Sequence, residues 1–341
     1  MGISTEAREG VMETSAENTF RHEPVMLTEV LRLLAPQPGE TIVDGTLGYG
    51  GHSLAILREL QGKGLLLGVD RDPEMAARAG ERLSDSGAQN FRIVVSNYSR
   101  LDEVLSASGD RADGILLDLG VASPQIEDPR RGFSYRVDGP LDMRMTPDQD
   151  FGAAEWINSA EEKDIADVLF EYGEERFSRR IARAILRARD RAPIRTTGEL
   201  AEIIRRASPP GPRRLHPARR SFQALRILVN RELEHLDRFL EILPGLLKPN
   251  GRCVVMSYHS LEDRRVKNVF RQGIRDGLFE SLTRKPLRPS EQEVDSNPRS
   301  RSARVRAVRR LAEGAAQDRA KGRNKYRKDR VETLAAQGGN A

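Results

Sequence analysis

Three carboxylates each close a short aliphatic run: Asp44 after Thr41-Ile42-Val43, Asp70 after the run that starts at Gly64, and Asp118 after Ile115-Leu116-Leu117. A carboxylate leaving a buried strand at the mouth of a sheet can accept hydroxyl or amino hydrogens from a ligand. Directly after Asp44 comes the loop Gly45-Thr46-Leu47-Gly48-Tyr49-Gly50-Gly51-His52. Glycines there let backbone amides, and the N-terminus of the helix that follows, approach a bound group closely. The chemistry these residues suggest is the binding of a nucleotide-like cofactor. Asp70 would take both ribose hydroxyls, or it caps the helix that begins at Pro73. Asp118 would face the reacting end, or it caps a loop.

The glycine spacing narrows the cofactor. A dinucleotide fingerprint read from Gly48 requires glycine at position 53, and the chain has Ser53. The form of the loop used for methyl donors starts from an acid at the strand end, here Asp44, and Gly48 and Gly50 fall on its glycine positions, with Thr46 in place of the first. Tyr98 follows the third strand, where an aromatic face either lies against adenine or fills core. Methyl transfer to an exocyclic amine needs acceptors that hold the amino hydrogens while nitrogen pyramidalises and gains positive charge. Asp118, followed by Ser123-Pro124-Gln125, stands where such acceptors belong. His259, in Ser257-Tyr258-His259-Ser260-Leu261-Glu262-Asp263, could face a substrate, but the segment reads first as a helix start capped by Ser260 with acids in its first turn.

Positioning these groups takes alternating strands and helices. Strands are expected at Thr41–Asp44, Gly64–Asp70, Phe91–Val95 and Gly114–Leu119, with helices over His52–Leu60 and from about Pro73 to Leu83, a spacing that implies a parallel, doubly wound sheet. A helix-like run, Val25–Leu34, precedes them. After Gln125 the alternation stops. A loop rich in Arg, Asp, Gly and Pro leads into helical periodicity near Ala153–Asn158, Glu161–Tyr172, Arg176–Arg189 and Thr197–Ala207. A long helix from about Ser221 to Leu247 and a strand at Arg252–Ser257 then resume the sheet, and Ser302–Arg310 supplies a last strand. Trp156 reads as core.

The chain has 341 residues and a net charge of +5. No apolar stretch reaches the ~18 residues of a membrane span, and Glu6, Glu9, Glu13 and Glu17 replace the basic and apolar regions of a signal peptide. One cysteine, Cys253, can form neither an internal disulfide nor a Cys-rich zinc site, so a reducing cytoplasm and no metal are expected. Basic residues gather in two places. Arg213, Arg214, His216, Arg219 and Arg220 either grip phosphates or form a solvated face. Between Arg301 and Arg330, twelve Lys and Arg face three acids, a polyanion-binding or a solubilising tail.

On these residues the chain resembles the bacterial 16S ribosomal RNA cytosine-N4 methyltransferases of the RsmH or MraW type. The resemblance runs from about Phe20 to Arg310, through His22-Glu23-Pro24-Val25-Met26, Asp44-Gly45-Thr46, Gly50-Gly51-His52-Ser53, Asp113-Gly114-Ile115-Leu116-Leu117-Asp118-Leu119-Gly120-Val121, Gly132-Phe133-Ser134, Asp138-Gly139-Pro140-Leu141-Asp142-Met143-Arg144-Met145, Tyr172-Gly173-Glu174-Glu175-Arg176 and His259-Ser260-Leu261-Glu262-Asp263-Arg264. It implies an α/β fold, a Rossmann-like class I methyltransferase sheet with an all-helical domain inserted after the fourth strand. The domain expectation is a leader over 1–18, a cofactor-binding domain over 19–125 and 218–311, a substrate-recognising helical insertion over 126–217 and a basic tail over 312–341. Implied cofactor contacts are Gly50, Gly51, His52, Asp70, Tyr98, Asp118 and Gln125, with S-adenosyl-L-methionine as cofactor. The implied substrate is a cytosine in the decoding region of 16S rRNA, in the small ribosomal subunit. Tyr98 stands where phenylalanine is familiar, and Val121-Ala122-Ser123 where Val-Ser-Ser is. Enzymes methylating N4 in DNA resemble a Ser-Pro-Pro-aromatic motif, whereas Ser123-Pro124 continues here into Gln125-Ile126. A non-catalytic RNA-binding assembly factor would need only the basic segments, and the intact loop with Asp70 disfavours it.

Overall fold

The computed structural model describes residues 24–312 except 108, 110, 148 and 211–215. The leader over 1–18, the tail beyond residue 312, His22-Glu23, Arg213 and Arg214 lie outside the described residues.

The first half alternates as expected: α1 (Leu27–Leu34), β1 (Thr41–Asp44), α2 (Gly51–Leu60), β2 (Leu65–Asp70), α3 (Pro73–Asp85), β3 (Phe91–Val95), α4 (Leu101–Ser106) and β4 (Ala112–Asp118). Four-residue to seven-residue strands of Val, Ile and Leu suit a sheet buried on both faces. Adjacent side chains then go to opposite cores. Ile42, Leu66, Leu116 and Val254 pack with α1 and α2, while Val43, Leu67, Ile115, Leu117 and Val255 pack on the other face. The start of α3 is set locally: Pro73 opens it, and the Asp72 side chain accepts from the Glu74 amide.

Helices alone then follow: α5 (Ser123–Glu127), α6 (Ala153–Ser159), α7 (Glu162–Glu171), α8 (Ser178–Arg189), α9 (Thr197–Ala207), α10 (Arg219–Asn230) and α11 (Glu232–Leu246). Thr196 and Glu199 cap α9 reciprocally, each side chain taking the other's backbone amide. One apolar cluster unites α6 to α10. It includes Phe222, Leu225 and Val229 of α10, so the helical core extends past residue 217. The single helix expected over 221–247 is instead two, divided at Arg231, whose φ is 49°. Tertiary hydrogen bonds account for the break. The Asn230 carbonyl accepts from Arg71, while its side chain reaches Met143 and Met145.

The chain returns through β5 (Leu247–Ser257), α12 (Ser260–Arg275), β6 (Phe279–Ser281), α13 (Glu291–Ser296) and β7 (Arg304–Arg310). The seven strands are ordered β3-β2-β1-β4-β5-β7-β6, with β7 antiparallel to both neighbours. On the far face of the sheet, α11 and α12 contribute Phe239, Leu243, Val266 and Phe270, joined by Leu101 of α4. β6 had no sequence signature beyond Phe279. Among the described residues, no helix is long and apolar enough to cross a membrane.

Candidate functional site

Strand order reverses between β1 and β4, and an open α/β sheet binds ligands at such a point, outside the carboxyl ends of its strands. A cleft of about 350 Å³ lies there. Its walls are the loop after β1, Asp70, Asn97 and Tyr98, the turn Leu119–Ala122, Gln125, and from the helical part Met145 and Arg226.

The loop is shaped by packing as well as by conformation. Gly48 and Gly50 have φ of 51° and 74°. A Cβ on Gly45 would lie 2.5 Å from Leu117 Cδ2, and one on Gly51 would lie 2.7 Å from Pro24 Cγ. Asp44, which begins the motif, is buried beneath the loop. The Ser53 hydroxyl donates to Asp44 Oδ2 at 2.7 Å, and the Thr46 amide to Oδ1 at 3.3 Å. Burial pushes the Asp44 carboxyl up to about 6, against the pull of Ser53. The residue that broke the dinucleotide fingerprint is therefore a structural donor to the loop.

Asp70 tethers the same loop. Its Oδ2 accepts from the Gly48 amide at 2.7 Å and Oδ1 from the Asp72 amide at 2.9 Å. Two carboxylate oxygens offer about four acceptor sites, so capacity remains for hydroxyls on the cleft side. Burial raises this carboxyl to about 6. The Tyr98 ring stands edge-on to Phe239, with centroids 6.0 Å apart, and forms a wall of the cleft. Burial holds its hydroxyl above the ordinary tyrosine range. Gln125 accepts from the Ala122 amide at 2.9 Å and donates to Asp72 Oδ2 at 2.7 Å, where Arg131 donates too, also at 2.7 Å.

Asp118 sits at the end of β4 with its amide donating to Thr46 Oγ1 at 2.6 Å. The Tyr258 hydroxyl donates to its Oδ1 at 2.9 Å. His52 Nε2 is 3.0 Å from the Val25 carbonyl, which can only accept, so Nε2 carries the hydrogen and the Nδ1 lone pair is turned toward Asp118 Oδ2, 3.7 Å away. Burial pushes the Asp118 carboxyl up to about 7, opposed by the Tyr258 hydrogen bond. Burial also lowers the His52 pKa. Asp118 thus lines the cleft as an acceptor whose charge is held by a tyrosine hydroxyl.

Six of the seven expected cofactor residues, Gly51, His52, Asp70, Tyr98, Asp118 and Gln125, line this one cleft. Gly50 does not. It caps α2, with Ala79 of α3 3.3 Å from where its Cβ would be. Arg219 and Arg220 are exposed at the start of α10, and His216 stacks on Tyr135 with centroids 4.8 Å apart, its pKa lowered by burial and by Arg136 and Arg205. None of the three reaches the cleft wall. His259 is buried and turned to Glu262, 3.2 Å away, rather than toward a substrate. Ser260 does not cap α12. His259 holds the cap position, its amide donating to Glu262 at 3.4 Å beside the Tyr258 amide at 2.9 Å, and the Ser260 hydroxyl donates instead to Glu174. Sequence reasoning missed Tyr258. Its only signal was its place after the aliphatic run Val254-Val255-Met256. Arg226 and Glu232, an ion pair at 2.8 Å on the floor of the cleft, had none.

A sequence model of the MraW methylase family matches residues 19–311. A protein of Acidobacterium capsulatum named ribosomal RNA small subunit methyltransferase H is 46% identical over 295 residues, which cover 84% of this chain and 98% of that protein. Proteins of the same name from Thioalkalivibrio sulfidiphilus and Syntrophobacter fumaroxidans are 47% and 48% identical, covering 85% of this chain and 98% and 96% of their own lengths.

Proposed function

The chain belongs to the MraW methylase family, and from that membership we propose that it transfers the methyl group of S-adenosyl-L-methionine to the N4 amino group of a cytosine in the 16S RNA of the small ribosomal subunit. The observation that carries this reading is the convergence of the glycine loop, Asp70 and Asp118 on one cleft at the switch point of the sheet.

The cleft fits the cofactor in chemistry and in size, since small-molecule sites begin at about 300 Å³. Asp70 would accept from the ribose hydroxyls, the Tyr98 face would lie against adenine, and the amides of the loop would approach the remainder. Bound there, the sulfonium supplies an electrophilic methyl group. The protein's own contribution is geometry and charge. Asp118 accepts hydrogens of the target amine, aligns its lone pair and stabilises the positive charge that grows on nitrogen. Tyr258 keeps that carboxylate aimed, and Thr46 fixes the backbone beneath it. Gln125, bonded to Asp72 beside Arg131, ties the end of the cleft to the helical insertion.

A base edge must be unstacked before it can enter such a cleft. The helical insertion is the proposed recognition element. His216, Arg219 and Arg220, with Arg213 and Arg214 outside the described residues, are proposed to grip phosphates near its end. The reading puts the enzyme in the cytoplasm, where its substrate is assembled and its one buried cysteine stays reduced. The test is transfer of labelled methyl from S-adenosyl-L-methionine to small subunits, or their RNA, from cells lacking the protein, followed by nucleoside mass spectrometry. Incorporation as N4-methylcytidine is expected. No incorporation and no cofactor binding by calorimetry would reject it.

A further inference from the structure

Helix α8 has an electrostatic composition that its own stability does not favour. Its sequence, Ser-Arg-Arg-Ile-Ala-Arg-Ala-Ile-Leu-Arg-Ala-Arg, contains no acid. Ile181, Ala182 and Ile185 form the buried face, and Arg179, Arg180, Arg183 and Arg187 stand exposed on the other, with exposed Arg176 just before them. Arg179, Arg183 and Arg187 follow one another at four-residue steps, the spacing at which like charges repel on a helix. Arg179 and Arg180 also occupy the first turn, where the helix dipole favours acids. Several exposed arginines on other helices have a carboxylate partner. Arg78 pairs with Glu74 at 2.7 Å, Arg205 and Arg206 with Glu202 at 2.6 Å, and Arg238 with Asp102 at 3.0 Å. Among the described residues, none of these five exposed arginines has a carboxylate within ion-pair distance, whereas the sixth, Arg189, is half-buried and donates to the Ile157 and Ala160 carbonyls.

Sites where local rules are broken without a compensating contact are where function is to be sought. We propose that α8 is a docking surface for the sugar–phosphate backbone of the substrate RNA beside the target cytosine. The proposal rests on the function given above and names a further element for it, distinct in sequence from the basic segment over 213–220. Charge complementarity chooses the occupant: an uncompensated row of guanidinium groups fits phosphates, which it can bind bidentately. Position supports it. Glu174, held at φ 50° two residues before Arg176, accepts from the Ser260 hydroxyl at 2.6 Å and from Arg264 at 3.4 Å. Ser260 lies between Tyr258 and Glu262, both of which line the cleft. The turn that leads into the row is therefore bonded to the segment that carries two cleft residues. Phe177, immediately before α8, is 44% exposed and gives a displaced base an aromatic face.

The test compares the full-length chain with a triple variant, Arg179→Ala, Arg183→Ala and Arg187→Ala, and with a control in which the paired Arg205 and Arg206 become alanine. Binding of small-subunit RNA is measured between about 50 and 200 mM salt, where each single-strand phosphate contact contributes about 0.7 to the slope of log affinity on log salt. The triple variant should lose about 2 from that slope and bind at least roughly tenfold more weakly. Its KM for small subunits should rise by a similar factor, with kcat within about twofold and cofactor affinity by calorimetry unchanged. The control should behave as wild type. A second triple variant with lysine at the same positions should restore most of the slope, which separates charge from any loss of folding. Unchanged affinity and slope in the alanine variant, or an equal loss in the control, would overturn the proposal. Absence of methylation by the wild-type chain would instead reject the function, since the binding comparison stands apart from catalysis.

Discussion

The Tyr258 hydroxyl and the Asp118 carboxylate, brought from the ends of two neighbouring strands, meet at 2.9 Å in the cleft. The bond lowers a carboxyl that burial raises to about 7. Tyr258→Phe removes the donor, so the Asp118 pKa rises. A hydrogen bond to a charged group is worth about 1.5–3 kcal/mol, which corresponds to roughly one to two pH units. In the role proposed for Asp118, transfer needs the ionised carboxylate, so the rising limb of the pH–rate profile should move to higher pH by that amount. An unmoved limb would show that Asp118 is held by something else.

Asp118 should also reveal a conflict between activity and stability. Its folded pKa, about 7, lies above the ordinary 3.8. The stability linked to this group is therefore fully present below the ordinary value and is lost as pH rises through about 7. Asp118→Asn should lower kcat by roughly 10²–10³. At pH 8 it should raise the melting temperature by roughly 2–4 °C for each 1 kcal/mol released, and at pH 4 leave it nearly unchanged. A variant that melts lower than wild type at pH 8 would contradict the burial argument.

Asp70→Asn tests the ribose contact. The amide cannot offer two charged acceptors, and the loss of charge-assisted bonds worth about 1.5–3 kcal/mol should weaken cofactor binding by roughly 10- to 100-fold. Calorimetry with the cofactor product measures it. An affinity within a factor of about two would return Asp70 to a purely structural role as tether of Gly48.

Asn230 is wholly buried at the joint between α10 and α11. Its side chain accepts from the Met145 amide at 2.9 Å and donates to the Met143 and Arg226 carbonyls at 2.8 and 2.9 Å. Asn230→Ala strands the Met143 carbonyl and leaves the Met145 amide only Gln149 Oε1, at 2.8 Å, and about 1–3 kcal/mol of stability should be lost in urea unfolding. A loss below about 1 kcal/mol would mean that water replaces the amide.

Much of this site was readable because the chain marks it with local signals. Aliphatic runs end in carboxylates, and Asp44, Asp70 and Asp118 all prove to stand at carboxyl ends of strands around one switch point. What stayed hidden depends on partners distant in sequence. Arg231 breaks a helix whose periodicity runs unbroken, because Arg71 and the Met143–Met145 loop claim the Asn230 polar groups. Tyr258 sits beside a cap signal that drew attention to Ser260, yet Ser260 answers Glu174, remote in sequence. Gly50 keeps its place in the motif through packing on Ala79, a role that spacing cannot separate from ligand contact.

The helical segment is spliced between two strands that lie side by side, Ile115 of β4 opposite Cys253 of β5. During synthesis the helical core, complete once α10 has emerged, can collapse on local contacts while β4 still presents an open edge. That edge must wait for β5, and β5 in turn for β7. Because distant pairing pays its loop-closure entropy before any contact repays it, closing the sheet should be the slow event in folding. Asp118 would then meet Tyr258 last, after the helical part proposed to recognise the RNA has already formed.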